Sequence, residues 1–324
     1  MSASVDPADG QGWEALRQGI AARVVDRDVL RVGGPDALGY LQGQCSQDLA
    51  QLAVGGSTEA LLLSPQGKID AYIRITRTGD ESFVVDTDGG VGPAAQARLE
   101  RFRLRTKVTI EPLDWACLSL RGPGVDAVPM GDSSDDGGPE LVIPVTWPGW
   151  SGRDLLGPRP VDDPDLASWF PVGAVRCGTQ VWESARIEAG VPVGGREITD
   201  SSIAAEVGLV DRTVSFTKGC FTGQELVARL DSRGSNVARR LCAVVVSGDS
   251  RPPVGSAVWT ADGDHEVGGL TSVAWSAGVE ATVALATLHR RVTPPETVDV
   301  RWTVDGVAIR ADGQAVPLPI SPSS

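Results

Sequence analysis

The sequence predicts an α+β protein of two or three domains that ends in a small all-β module. Three observations carry this. The chain has 324 residues, more than one compact core usually takes. Its 39 glycines and 22 prolines favour short strands and turns over long helices. From about residue 240 the hydrophobic pattern shortens into strands, several of them joined by Asp-Gly turns.

Taken in order, WEALRQGIAARVV (13–25) reads as a short helix and DVLRVGG as a strand. PDALGYLQGQCSQDLAQL has helical apolar spacing at Ala37, Leu38, Leu41 and Leu49, broken by glycines. A β-rich block follows: TEALLLSP, then KIDAYIRITRTG, where Ile69, Ala71, Ile73 and Ile75 alternate with polar neighbours, then ESFVVDTD. GPAAQARLERFRLR predicts a helix from near Pro93, and TKVTIEPLD a closing strand. This β-β-β-α-β run over about 55–113 can form a small α+β layer. Strands at WACLSLRG and ELVIPVTW flank DSSDDGGPE (132–140), an acidic segment that reads as a mobile loop. GTQVWESARIEAG reads as a helix capped by Gly190, with Pro192 beyond. The last strands suggest a barrel or sandwich, and PLPISPSS a frayed tail.

Composition removes several function classes. A net charge of −13 argues against a general nucleic-acid binder, since phosphate affinity rests on clustered Lys and Arg. The arginines of RLERFRLRTK (98–107) read mainly as a solvated face, with a partner- or tRNA-contacting patch as the minority reading. Only two histidines occur, His265 in a hairpin tip and His289 beside two arginines, which argues against Ser-His-Asp or Cys-His catalysis. The five cysteines (45, 117, 177, 220, 242) include no C-x-x-C pair, so neither a disulfide framework nor a bound metal is expected. No signal peptide and no run of about 18 apolar residues is found, so the expectation is a cytoplasmic protein without a membrane span. Neither a G-x-G-x-x-G fingerprint nor a P-loop is present.

Candidate chemistry gathers in FTKGCFTGQEL (216–226). Thr222 and Glu225 have capping-box spacing, with Phe221 and Leu226 as hydrophobic staple. Cys220 would then stand just outside a positive helix end with Lys218 nearby, and both favour thiolate. The alternative is a cysteine buried as a small hydrophobe, with Lys218 in water. Glu188 sits in the last turn of a helix, where the dipole disfavours a carboxylate. It is held there for a ligand, or it is a solvated side chain near Arg186. Trp182 is either core or a stacking face, and Asp70 a site carboxylate or a loop-edge one.

KGCFTGQE (218–225) resembles the K-G-C-[FY]-x-G-Q-E signature of the YgfZ family, folate-binding proteins related to the T-protein (aminomethyltransferase) of glycine cleavage. YLQGQCSQDL, LLLSPQGKI, RIEAGVPVGG and GGLTSVAWS resemble further family segments in the expected order, over about residues 30–290. The resemblance implies a three-domain T-protein-like ring: a discontinuous folate-binding domain (14–52 plus 114–238), a ferredoxin-like insert (53–113) and a C-terminal β-barrel (239–318), with disordered tails at 1–13 and 319–324. It implies tetrahydrofolate as cofactor, with Glu188 gripping the pterin and Asp70, Trp182, Arg186 and Gln224 around the folate. Gln224 stands where T-proteins commonly carry Arg. Cys220, with Lys218, would be the chemically active pair. The implied role is an accessory factor for iron–sulfur enzymes, including a tRNA-modifying one, with those enzymes or assembly proteins as partners. A monomer without direct nucleic-acid contact is expected. The alternative is a tetrahydrofolate-dependent aminomethyltransferase or demethylase.

Overall fold

The computed structural model describes residues 7–128, 138–161, 163–164, 166–231 and 237–320. The chain divides into two compact units. One holds the residues up to Val25, Leu118–Pro192 and those from Ala238; the other holds Asp26–Cys117 and Val193–Val237. This division cuts across the expected boundaries. Residues 26–52 and 193–237 cluster with the inserted segment, and the barrel clusters with 118–192. The reason is strand pairing. Arg27–Gly33 lies in the inserted sheet between Ser82–Asp88 and Thr109–Leu113, antiparallel to both. The expected ferredoxin-like insert is therefore not self-contained over 53–113.

That sheet has five strands, in the order Ser57–Leu63, Ile69–Arg77, Ser82–Asp88, Arg27–Gly33, Thr109–Leu113. The period-2 alternation sorts its residues. Ala71, Ile73, Ile75, Val32, Phe83 and Val85 pack with Ala37, Tyr40 and Leu41 of helix Ala37–Gln44 and with Ala95 and Leu99 of helix Gly92–Arg101. Leu61, Leu63 and Ile69 join a second cluster with Ile198, Ala204, Leu209, Phe221 and Val227. The change of face at Ile69 comes from a β-bulge. Leu62 pairs with Ala71 and Leu63 with Ile69, which leaves Asp70 as the extra residue.

The other unit carries a sheet in the order Ala174–Arg176, Ile20–Val25, Trp115–Arg121, Trp150–Pro158, Leu141–Trp147. It also carries a closed six-stranded barrel from Arg239–Val246 to Val307–Val316. Helix Thr179–Ala189 ends on Gly190 in the left-handed conformation (φ 71°), the predicted cap. Its Ile187 packs on Ala274, Val283 and Leu285 of the barrel.

Three local expectations change. The first helix is Pro7–Gln18, so residues 7–12 are not tail, and the β-branched end of the predicted helix is strand Ile20–Val25. Leu318 and Ile320 pack beside Ile187, and the Ile320 N–H donates to the Glu188 carbonyl at 2.8 Å, so the segment from 317 to 320 is docked rather than frayed. The helix after the cysteine motif begins at Gln224, two residues beyond the expected N-cap Thr222. The acidic loop falls largely at 132–137, outside the described residues, as do the outer parts of both tails. Among the described residues no helix is long and apolar enough to cross a membrane.

Candidate functional site

The KGC motif separates into one buried and one exposed residue. Lys218 is only 9% exposed, and its ammonium donates to the carbonyls of Gln42 (2.6 Å), Cys45 (2.8 Å) and Gln47 (2.8 Å). Those carbonyls end and follow helix Ala37–Gln44, where backbone acceptors lack helical partners and a cation suits the dipole. Burial lowers the Lys218 ammonium from its ordinary pKa, opposed by neighbouring Cys45 and Asp48. With three donors on three acceptors, its binding capacity is filled. Cys220, two residues on, is exposed, while Cys45, Cys117, Cys177 and Cys242 are buried. Phe221 is core.

The rest of the motif is helix-capping apparatus, with a different residue in charge than the spacing predicts. Gln224 Oε1 accepts the Phe221 N–H at 3.3 Å, a back-bond of the same spacing as the one a capping box would run from the Thr222 N–H to Glu225. The helix cannot begin earlier because Gly223 has φ +81°, and a Cβ there would meet the Ser64 carbonyl oxygen at 2.5 Å. Glu225 is exposed.

In the same unit a cavity of about 530 Å³ is lined by residues of strand Ile69–Arg77, helix Gly92–Arg101 and segment 194–200. Asp70, at the bulge, forms part of its wall. Asp70 Oδ2 accepts from Arg98 Nε at 3.1 Å. The same guanidinium donates to Gln44 Oε1 (2.9 Å) and the Leu63 carbonyl (3.0 Å), and lies 4.0 Å over the Phe102 ring. Burial lowers the Arg98 pKa, with Asp70 acting against it. Asp88, also on the wall, accepts from Arg27 Nη1 and from the Gly194 N–H, each at 2.8 Å, which fixes the 194–195 edge.

Sequence reasoning missed Arg98 by assigning its run to solvent. One signal could have found it: Ala95 and Leu99 flank it on the buried stripe, and position 98 borders that stripe. Nothing in the pattern announced Asp88 or Gln44.

In the other unit Glu188 sits in the last turn of helix Thr179–Ala189. Burial raises its carboxyl pKa, with a hydrogen bond from Ser276 acting against this. Ser276 Oγ already accepts the Gly278 and Val279 N–H groups (3.1 and 3.0 Å), so its own proton is directed to the carboxylate. Glu188 Oε1 is buried with no hydrogen-bond partner among the described residues. Its neighbours are structural. Arg186 donates to Glu183, to the Val191 carbonyl and to Ser272 Oγ. Trp182 is 6% exposed, meets Trp147 edge-on at 5.4 Å between ring centroids, and lies under Arg121. The Trp182 and Arg186 contacts are those of a core. Of the predicted residues, Asp70, Lys218, Cys220 and Gln224 thus belong to one unit, and Trp182, Arg186 and Glu188 to the other.

Comparison with known proteins places the chain. It is 31% identical over 218 residues to the tRNA-modifying protein YgfZ of Edwardsiella ictaluri, covering 64% of this chain and 65% of that one. It is 28% identical over 262 residues to the mitochondrial iron-sulfur cluster assembly factor IBA57 of Mus musculus, covering 75% of this chain and 69% of that one. The chain is thus similar in sequence to the YgfZ and IBA57 proteins. The chain spans 65% of the length of the first of these relatives and 69% of the second. No family model matches it. Its fold is that of the glycine cleavage aminomethyltransferase T of Bartonella henselae, with a TM-score of 0.80 at 19% identity, over 96% of this chain and 89% of that one.

Proposed function

We propose that the chain is a tetrahydrofolate-binding accessory protein that supports assembly or repair of iron–sulfur enzymes, tRNA-modifying ones among them. The observation that carries the folate reading is the buried, unpartnered Oε1 of Glu188. An orphaned carboxylate oxygen is costly unless a ligand donor completes it. The aminopyrimidinone edge of a pterin offers adjacent N–H donors, which a carboxylate accepts as a pair. The donor set therefore fits the group. Tetrahydrofolate, when bound, supplies a reduced ring able to carry a one-carbon unit. Glu188 would hold and orient the pterin edge, with Ser276 fixing the carboxylate. Asp70 would present a fixed acceptor on its cavity wall, held by Arg98.

The iron–sulfur part of the reading rests on the YgfZ and IBA57 homologues and on Cys220, the exposed thiol of the chain's most specific motif. Partners would be iron–sulfur enzymes or their assembly proteins in the cytoplasm. The net charge of −13 favours protein partners over nucleic acid. The transferase reading is weaker, because the Asp70 carboxylate is tied to Arg98 and is not a free base.

Calorimetry with tetrahydrofolate on the wild type, Glu188→Ala and Cys220→Ser tests this. Binding should be lost in the first variant and kept in the second. Absence of wild-type binding at high micromolar concentration would remove the folate reading. Restoration of iron–sulfur enzyme activity by Cys220→Ser in a strain lacking the protein would remove the role given to the thiol.

A further inference from the structure

We infer that Lys218 is the positioning residue of the Cys220 loop: its ammonium pins the loop to the 42–47 turn, so that the thiol is presented at one fixed point of the surface. This rests on the reading of Cys220 as the working thiol, and it assigns Lys218 a mechanical role in place of an electrostatic one.

The anchoring is more than one contact. The segment leading to Lys218 is zipped to the turn it binds. Gln47 Nε2 donates to the Arg212 carbonyl (3.3 Å), Ser46 Oγ to the Thr213 carbonyl (2.6 Å), and the Ser215 N–H to the Ser46 carbonyl (3.0 Å). The ammonium completes the series with its three carbonyls. Beyond it the chain is free for two residues only. Gly219 is exposed with nothing near its missing Cβ, and Cys220 is exposed. Phe221 is buried again, its N–H capped by Gln224 and its ring 5.3 Å from the Lys218 Nζ.

Cys220 is therefore the crest of a short arch with a buried anchor on either side. Adjacent Cα atoms are about 3.8 Å apart, so two firm anchors three residues apart hold the crest within a few ångströms. A thiol held in this way meets an incoming group at far higher effective concentration than one on a loose loop. Lys218 cannot also serve as a proton donor to the thiol, because an ammonium has three donors and all three are taken.

A nitroxide spin label on Cys220, the exposed cysteine, tests the inference in the full chain. The wild type should give an immobilised line shape. Folded Lys218→Met, which keeps the apolar stem, should give a fast component with a several-fold shorter correlation time. Lys218→Arg, able to reach some of the same carbonyls, should fall between them. It also serves as the readout if the Met variant does not fold. The pH profile of Cys220 alkylation should keep its midpoint in all three. An unchanged line shape in the variants, or a midpoint that rises by about one unit with no change in mobility, would overturn the inference in favour of charge stabilisation. Neither readout uses folate or an iron–sulfur client, so failure here is separable from failure of the function proposed above.

Discussion

The ammonium of Lys218 and the carbonyl of Cys45 are 173 positions apart in the chain and 2.8 Å apart in space. The contact joins two motifs, YLQGQCSQDL and KGCFTGQE, that look independent in the sequence. The first supplies acceptors and the second the donor. A buried ammonium without them would be a large liability.

Lys218→Met should lower stability by about 3 kcal/mol, since it removes three charge-assisted hydrogen bonds and leaves carbonyls without partners. Urea unfolding followed by circular dichroism measures this. A loss under about 1 kcal/mol would mean that water replaces the ammonium freely.

Glu188→Gln should stabilise the protein at neutral pH by about 1 kcal/mol and weaken tetrahydrofolate binding at the same time. The sign follows from the raised carboxyl pKa. A group whose folded value lies above its ordinary 4.5 adds most stability below that pH, and the contribution fades as pH rises through the folded value. The Gln variant should therefore gain at pH 7 and be level with the wild type below about pH 4. Melting temperatures across that range decide it, and a variant less stable at pH 7 would contradict a costly buried carboxylate.

Gln224→Ala should cost roughly 0.5–1.5 kcal/mol, and Thr222→Ala less than about 0.5 kcal/mol, because Gln224 satisfies the Phe221 N–H. Denaturation midpoints should show that order. Tetrahydrofolate affinity should be unchanged in Gln224→Ala, in contrast to the folate contact that the family pattern implies. A weakened affinity in a fully folded variant would restore that contact.

Arg98→Met leaves Asp70, Gln44 and the Leu63 carbonyl without their shared donor. If the cavity takes part in folate binding, affinity should fall by about tenfold, or about 1.4 kcal/mol. Calorimetry at constant salt measures it. Wild-type affinity in a folded variant would separate this cavity from the folate site.

The helix over Thr179–Ala189 with its Gly190 cap, the alternation of Ala71, Ile73 and Ile75, and the C-terminal strands were all legible, because each is set by neighbours within a few turns or residues. The cap at the cysteine motif was misread, though it too is local. Thr222 and Glu225 have the right spacing, but the left-handed Gly223 blocks that start and passes the role to Gln224. Arg98 was misread for a different reason. A run of arginines looks solvated until a carboxylate from a strand 28 positions away is brought against one of them.

By itself the sequence determined most of the elements, their polar and apolar faces, and the place of Cys220 in a dense eight-residue motif, since periodicity, glycine geometry and such a motif are properties of short stretches. Only the tertiary structure decided what the charged residues do. It sent Lys218 into a nest of carbonyls and left Cys220 outside, tied Asp70 to Arg98, and buried Glu188 with one oxygen unmatched. The physical reason is common to all of them: a charge takes its meaning from burial and partners, and both are supplied by chain distant in sequence.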